Sequence, residues 1–120
     1  MPKPIHFEIS AKDTKRAVEF YKKVFGWEIS NYGPMDYWLV KAGEDKEIGI
    51  NGAISGESSF KGTVNTISVP SYEDAVKKIV EAGGKTLTPK TAVPGVGYMS
   101  YCKDTEDNVF GIMQTDSNAK

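Results

Sequence analysis

Hydrophobic and polar residues alternate in the opening stretch IHFEIS, residues 5–10. Because successive side chains of a β-strand point to opposite faces, this alternation predicts a strand with one apolar and one polar face. Phe7 and Ile9 are expected to face a hydrophobic core. The opposite face carries three polar side chains: His6, Glu8 and Ser10.

A helical pattern follows directly after this strand. Asp13 stands where a helix N-cap is expected, since its carboxylate can accept hydrogen bonds from the first free backbone N–H groups, and Gly26 is a typical stop signal. Between them, apolar residues at helical spacing predict one buried face: Ala17, Phe20, Tyr21, Val24 and Phe25. We expect this helix to cover the apolar side of a sheet and the polar side of that sheet to line a cavity.

Three further strands are predicted at 27–32, 36–42 and 48–54, and a small, polar linker at 55–62. The order then begins again. Residues 64–69 predict a strand, and Ser71 begins a capping box. Apolar residues at helical spacing then predict a second buried helical face, which ends before the stop signal at Gly83: Ala75, Val76, Ile79 and Val80.

A shift of 58 positions aligns identical residues of the two halves: Ile9 with Ile67, Ser10 with Ser68, Ala17 with Ala75, Val18 with Val76, and Gly26 with Gly84. Such a match indicates an internal duplication.

The remainder of the second half predicts a short strand near 85–88 and strands at 98–103 and 109–114. The Pro- and Gly-rich loop 89–97 is either a lid over a cavity mouth or a stiff surface connection. The tail 115–120 is expected to have nothing to pack against.

Length and charge narrow the class of protein. The 120 residues are enough for one domain with a real core. With 15 basic and 16 acidic residues, the chain lacks the basic field that nucleic acid would need as a partner. Its apolar stretches are too short for a signal peptide or a membrane span, so we expect a soluble, cytoplasmic protein. Cys102, the single cysteine, is expected to be a buried, inert thiol.

The candidate chemistry centres on the only histidine. His6 and Glu8 are either a general acid/base pair, since imidazole titrates near neutrality, or hydrogen-bonded residues in a polar cavity wall. Aromatic and soft side chains in later strands are candidates for contacts with a ligand: Tyr37, Trp38, Tyr98 and Met113. Alternation allows only about half of such side chains to face inward.

Four segments resemble the vicinal oxygen chelate superfamily, which includes glyoxalase I, bleomycin-resistance proteins and extradiol dioxygenases. They are His6 seven residues before Asp13, AVEFYKKVFGW, EAGG, and the closing DTEDNVFGI. The chain most resembles the small glyoxalase-like members. The resemblance implies one α+β domain over 1–120, built from two βαβββ modules at 1–58 and 59–120 that form a curved mixed sheet around a cavity. It also implies a homodimer.

Enzymes of that superfamily hold a divalent metal with ligands from the first, fourth, fifth and eighth strands. On this chain the resemblance matches only the first ligand, at His6. The fourth falls near Asn51, which we include among the ligand-binding candidates, and the others fall on Val64 and Gly111. We therefore predict no metal ligands and no cofactor, with a weak divalent-metal site at His6 and Glu8 as the alternative.

Three functions remain open. The preferred one is a glyoxalase/bleomycin-resistance-like protein that binds a small organic molecule in a cavity without a complete metal site. The alternative is a glyoxalase-type lyase, isomerase or dioxygenase that uses His6 as a metal ligand or as an acid/base. A structural or regulatory module with no ligand is the third.

Overall fold

The computed structural model describes all residues, Met1–Lys120. The chain forms two compact units. The first unit comprises His6–Val64, and the second unit comprises Asn65–Lys120 together with Met1–Ile5. The secondary-structure elements are β1 (Lys3–Ser10), α1 (Thr14–Phe25), β2 (Glu28–Asn31), β3 (Tyr37–Lys41), β4 (Gly52–Ser55), β5 (Thr63–Ser68), α2 (Tyr72–Glu81), β6 (Lys85–Thr86), β7 (Thr91–Val93), β8 (Gly97–Lys103) and β9 (Val109–Thr115).

In the first unit, α1 covers one face of a mixed sheet. β2 pairs antiparallel with β3, β3 pairs antiparallel with β4, and β4 pairs parallel with β1. Phe7 and Ile9 pack against the core on the helix side, as the alternation of the sequence predicts. The buried centre of this core consists of Val18, Ile29, Val40 and Ile54.

The second unit repeats this arrangement. β5 pairs parallel with β9, β9 pairs antiparallel with β8, and β8 pairs antiparallel with both β6 and β7. β6 and β7 contact opposite ends of β8, so together they take the place that β2 has in the first unit. The buried centre consists of Val69, Tyr72, Cys102 and Ile112.

The strand register confirms the duplication. Ile9 lies opposite Ile54 in the first unit, and Ile67 lies opposite Ile112 in the second. The architecture is therefore the predicted α+β fold of two tandem βαβββ modules.

Both helices begin at the predicted caps. Asp13 accepts a hydrogen bond from the backbone N–H of Arg16 at 3.0 Å, and Ser71 accepts one from the N–H of Asp74 at 3.2 Å. Gly26 ends α1 with a φ of 70°, a left-handed conformation that glycine adopts without strain. Neither helix has the length and hydrophobicity that crossing a bilayer demands.

Three segments differ from the sequence prediction. The strand predicted at 48–54 is confined to β4, because Gly49 has a φ of 137° and the side chain of Asn51 accepts a hydrogen bond from Ala42 instead of continuing the strand. The loop 89–97 contains β7, whose β-forming residues pair with β8 across a turn at Gly95. The tail is packed: Ala119 is buried and its carbonyl accepts a hydrogen bond from the N–H of Gly95.

The apolar face of α1 is only partly buried. Val18 is almost fully buried, but three residues of the predicted face are more than half exposed: Phe20, Val24 and Phe25. Tyr21 packs instead in a stack with Trp27, with the ring centroids 4.9 Å apart. In α2 the same difference is seen at Val80, which is 56% exposed.

Candidate functional site

The polar face of the first unit's sheet brings together three side chains that are distant in sequence. β1 supplies His6 and Glu8, because these alternate residues point away from the core side of the strand. Tyr37 comes from the start of β3, which is separated from β1 by β4. The site is thus set by the pairing of three strands.

The hydroxyl of Tyr37 lies between the other two side chains. It donates a hydrogen bond to Oε2 of Glu8 at 3.1 Å, and it is 3.2 Å from Nε2 of His6. Glu8 is 6% exposed, so the carboxylate is held inside the protein, whereas His6 and Tyr37 are half-buried. The sequence suggested a pairing of His6 with Glu8, and the structure shows that Tyr37 connects them.

The electrostatic surroundings of His6 favour the uncharged ring. Burial lowers the pKa of the His6 imidazole, and the negative charge of Glu8, which acts in the opposite direction, has the smaller influence. A neutral imidazole keeps one nitrogen as a hydrogen-bond acceptor, so it is able to accept a proton or a hydrogen bond.

A cavity of about 520 Å³ opens beside His6 within the first unit. Leu39 offers it an apolar wall, while exposed Glu28 and Lys41 give it charged edges. The remaining lining comes from Ile29, Ser30, Val40, Asn51 and Gly52. Concave sites of this size, with apolar surface and a few polar groups, are typical of small-molecule binding.

The sequence prediction missed several residues of this lining. Alternation along β3 would have placed Leu39 and Lys41 on the same face as Tyr37, and Ser30 lies opposite Leu39 in the neighbouring strand. The period-two spacing of β3 was therefore a usable signal for which of its side chains line the cavity. The contribution of Ser30 follows only from the pairing of β2 with β3.

The other predicted ligand contacts lie in different places. Trp38 packs against the core of the first unit, and its indole N–H donates to Asp36 at 3.1 Å. Asn51 lines the cavity, although its side-chain oxygen is already bonded to the N–H of Ala42 at 2.9 Å. Tyr98 and Met113 belong to the second unit and do not line this cavity.

The donor set does not fit the metal that the superfamily's enzymes use. No group of three or more histidine, cysteine, aspartate or glutamate side chains is placed to hold an ion. The positions that the resemblance assigns to further ligands hold Val64 and Gly111, which have no donor side chain. A divalent ion requires several converging imidazole or carboxylate ligands, so these residues do not build such a site.

Cys102 is not part of the site. It is fully buried in the core of the second unit, and burial raises the pKa of its thiol to about 11. Because the thiolate is the reactive form, this cysteine is an unreactive core residue, as the sequence predicted.

Two tandem units of βαβββ order are the architecture that the resemblance to vicinal oxygen chelate proteins implies. The profile of the Glyoxalase/Bleomycin resistance protein/Dioxygenase superfamily matches residues 3–112. The chain therefore belongs to this superfamily. No curated protein matches it.

Solved structures with this fold align over nearly the whole chain. A hypothetical protein from Bacillus halodurans C-125 is 13% identical, with a TM-score of 0.67 and coverage of 99% of this chain and 98% of its own. A glyoxalase/bleomycin resistance protein/dioxygenase superfamily member from Vibrio splendidus 12B01 is 12% identical, with a TM-score of 0.68 and coverage of 97% and 100%.

A serine-to-threonine variant of Streptomyces coelicolor methylmalonyl-CoA epimerase, solved in complex with 2-nitronate-propionyl-CoA, is 11% identical. Its TM-score is 0.67, and the alignment covers 98% of this chain and 97% of the epimerase. At these identities the likeness shows a shared fold.

Proposed function

We propose that this protein binds a small organic molecule in the cavity beside His6 and that binding requires no metal ion. The cavity itself carries this proposal, because a concave space of about 520 Å³ combines the apolar side chain of Leu39 with hydrogen-bonding groups at His6 and Ser30. The epimerase with the same fold was solved with a CoA ester bound, so the fold has room for organic ligands.

A cavity-filling substitution tests this proposal. A panel of small organic compounds is screened by ligand-observed NMR against the wild type, with and without EDTA, and against Leu39→Trp. Leu39 is 40% exposed and lines the cavity, so a tryptophan there is expected to fill it and weaken binding by about tenfold or more.

The matched control is Leu87→Trp, because Leu87 is 37% exposed and lies outside the cavity. Binding is expected to survive this change and the chelator. The absence of any binder, equal weakening by both tryptophans, or loss of binding in EDTA would contradict the proposal.

A second candidate is an enzyme that transfers a proton without a metal. The contacts of Tyr37 with His6 and Glu8 favour it, because they join a neutral imidazole to a buried carboxylate. In that case the compounds that bind would include some that exchange a C–H hydrogen for deuterium in D₂O. Exchange is expected to be lost in His6→Ala and to be insensitive to EDTA. Binding without exchange would favour the first proposal.

We further propose a homodimer, to which the exposed apolar residues of α1 contribute. Phe20, Val24 and Phe25 are 56%, 53% and 60% exposed, and together they leave a larger apolar surface than scattered single residues would. Light scattering after size exclusion is expected to give twice the chain mass, and Phe20→Glu is expected to shift the protein toward the monomer. A monomeric wild type would contradict this proposal.

A further inference from the structure

We infer that Tyr37 holds the ring proton of His6 on Nε2 and thereby makes Nδ1 the acceptor that the cavity offers to its ligand. This inference rests on the proposed function and deepens it by naming the ligand class: a small molecule that presents an O–H or N–H donor to His6. Tyr37 acts through His6, so it is a positioning residue.

The direction of the hydrogen bonds follows from the number of protons available. The carboxylate of Glu8 only accepts, so the Tyr37 hydroxyl donates its proton to Oε2 at 3.1 Å. A phenol has a single O–H, and its oxygen can then only accept from the other neighbour, Nε2 of His6 at 3.2 Å. The ring proton of neutral His6 therefore belongs on Nε2.

The opposite direction would place two acceptor oxygens against each other. If Tyr37 donated to His6, its oxygen would face Oε2 of Glu8 at 3.1 Å with no proton between them, at a residue that is only 6% exposed. Lone pairs at this distance repel each other, and the low dielectric of the protein interior strengthens that repulsion. The contact with Glu8 thus fixes the orientation of the Tyr37 hydroxyl.

The second ring nitrogen is accessible. Nδ1 of His6 has no hydrogen-bond partner in the protein, and no side-chain polar atom of the chain is both buried and unpartnered. Nδ1 is therefore reached from outside the protein interior, and His6 is one of the residues that line the cavity. With the proton on Nε2, Nδ1 presents a lone pair.

A lone pair at Nδ1 selects for the chemistry of the ligand. A hydroxyl, enol, phenol or N–H group directed at Nδ1 makes a hydrogen bond, whereas an ether or carbonyl oxygen at the same place brings two lone pairs together. An analogue that lacks the donor leaves a polar group unpaired and binds less tightly.

Nitrogen NMR of the single histidine tests the position of the proton directly. Long-range ¹H–¹⁵N spectra at about pH 8, where an imidazole with an ordinary or lowered pKa is neutral, report which ring nitrogen carries it. The wild type is expected to show one tautomer, protonated at Nε2. Tyr37→Phe is expected to show a mixture, because the acceptor that holds the proton is gone.

Tyr32→Phe is the matched control. Tyr32 packs edge-on against Tyr37, with ring centroids 6.3 Å apart, but its hydroxyl is not part of the chain from Glu8 to His6. Its removal is expected to leave the tautomer unchanged. A wild-type proton on Nδ1, or a mixture that is the same in the wild type and in Tyr37→Phe, would overturn the inference whether or not any variant is destabilised.

Phenol and anisole, which differ in the O–H group, test the ligand class. Phenol is expected to shift the Nδ1 resonance and to bind Tyr37→Phe about fivefold more weakly, the net worth of one hydrogen bond, whereas anisole leaves Nδ1 unchanged. Equal shifts from both probes would overturn the ligand class. If the wild type carries the ring proton on Nε2 but binds neither probe, the result contradicts the proposed function and still supports the positioning role of Tyr37.

Discussion

In the first unit the sheet face away from α1 carries His6 and Glu8, whereas the equivalent positions of the duplicated strand β5 hold Val64 and Thr66. The second unit has its own buried polar pair, but on the helix side of the sheet, where the hydroxyls of Tyr72 and Ser100 meet. Each unit packs an apolar core between its helix and its sheet, whereas the polar groups of the two units lie on opposite sheet faces. The two units therefore share their architecture, and the candidate chemistry belongs to the first unit alone.

The largest effects are expected where the units are most alike. Ile54 and Ile112 occupy equivalent central positions and are 0% and 2% exposed. Ile54→Ala and Ile112→Ala should each lower the free energy of unfolding by about 2–5 kcal/mol, because each leaves a cavity in a closed core. Urea denaturation measures both.

Ile48→Ala is the control, because Ile48 is fully exposed and its truncation should change the free energy of unfolding by about 0.5 kcal/mol or less. If one of the two buried substitutions were as mild as this control, the equivalence of the two cores would be wrong.

A glycine marks the next difference between the units. Gly111 in β9 lies opposite Thr66, and a Cβ added there would be 2.8 Å from Thr66 Oγ1. The equivalent residue of the first unit is Ala53, which lies opposite Glu8 and has a Cβ. Gly111→Ala is therefore expected to lower the free energy of unfolding by about 1–3 kcal/mol through overpacking.

A double-mutant cycle with Thr66→Ala isolates this contact. Removing the hydroxyl should make Gly111→Ala nearly neutral. An equal loss of stability in both backgrounds would show that the glycine is required for another reason.

Much of the fold could be predicted because it depends on local periodicity and on a repeat. The alternation around Phe7 and Ile9, the caps at Asp13 and Ser71, and the shift that relates the halves are all visible in the sequence. The strand predicted at 48–54 was too long because the side-chain oxygen of Asn51 accepts a hydrogen bond from the N–H of Ala42 in place of strand pairing. Such competition between side chain and backbone has no periodic signal.

The candidate site was predictable only in part. Alternation placed His6 and Glu8 on one face, but alternate residues of a strand lie about 7 Å apart, and the residue that connects them comes from β3. Bringing Tyr37 to that point requires the pairing of β3 with β4 and of β4 with β1. Register between distant strands is a property of the whole sheet, so the sequence of either strand alone does not contain it.

The buried pair of the second unit provides a smaller effect. Tyr72→Phe would leave the hydroxyl of Ser100, which is fully buried, without its partner. The free energy of unfolding is expected to fall by about 1–2 kcal/mol, the cost of an unpaired buried hydroxyl. In a Ser100→Ala background the same change should cost clearly less, because neither partner remains unpaired. Equal costs in both backgrounds would contradict a contribution from this hydrogen bond.

The smallest expected effect is a dependence of the free energy of unfolding on pH, and a single residue of the first unit, His6, causes it. His6 is the only histidine, and its pKa in the folded protein lies below the ordinary value of about 6.5 that it has when unfolded. As the pH falls through this value, the unfolded chain takes up the proton before the folded one does. The contribution of His6 to stability is therefore complete above about pH 7 and declines toward the folded-state pKa.

Urea midpoints at about pH 7.5, 6.5 and 5.5 should fall slightly in the wild type and stay level in His6→Gln, because no other side chain has an ordinary pKa in this range. The carboxyl of Asp36, whose pKa is lowered by hydrogen bonds from Thr14 and Trp38, affects stability only at more acidic pH. A wild type that became more stable on acidification would mean that the charge of Glu8 outweighs the burial of His6. The same decline in His6→Gln would instead place the titrating group outside the candidate site, and the electrostatic difference between the two units would then disappear.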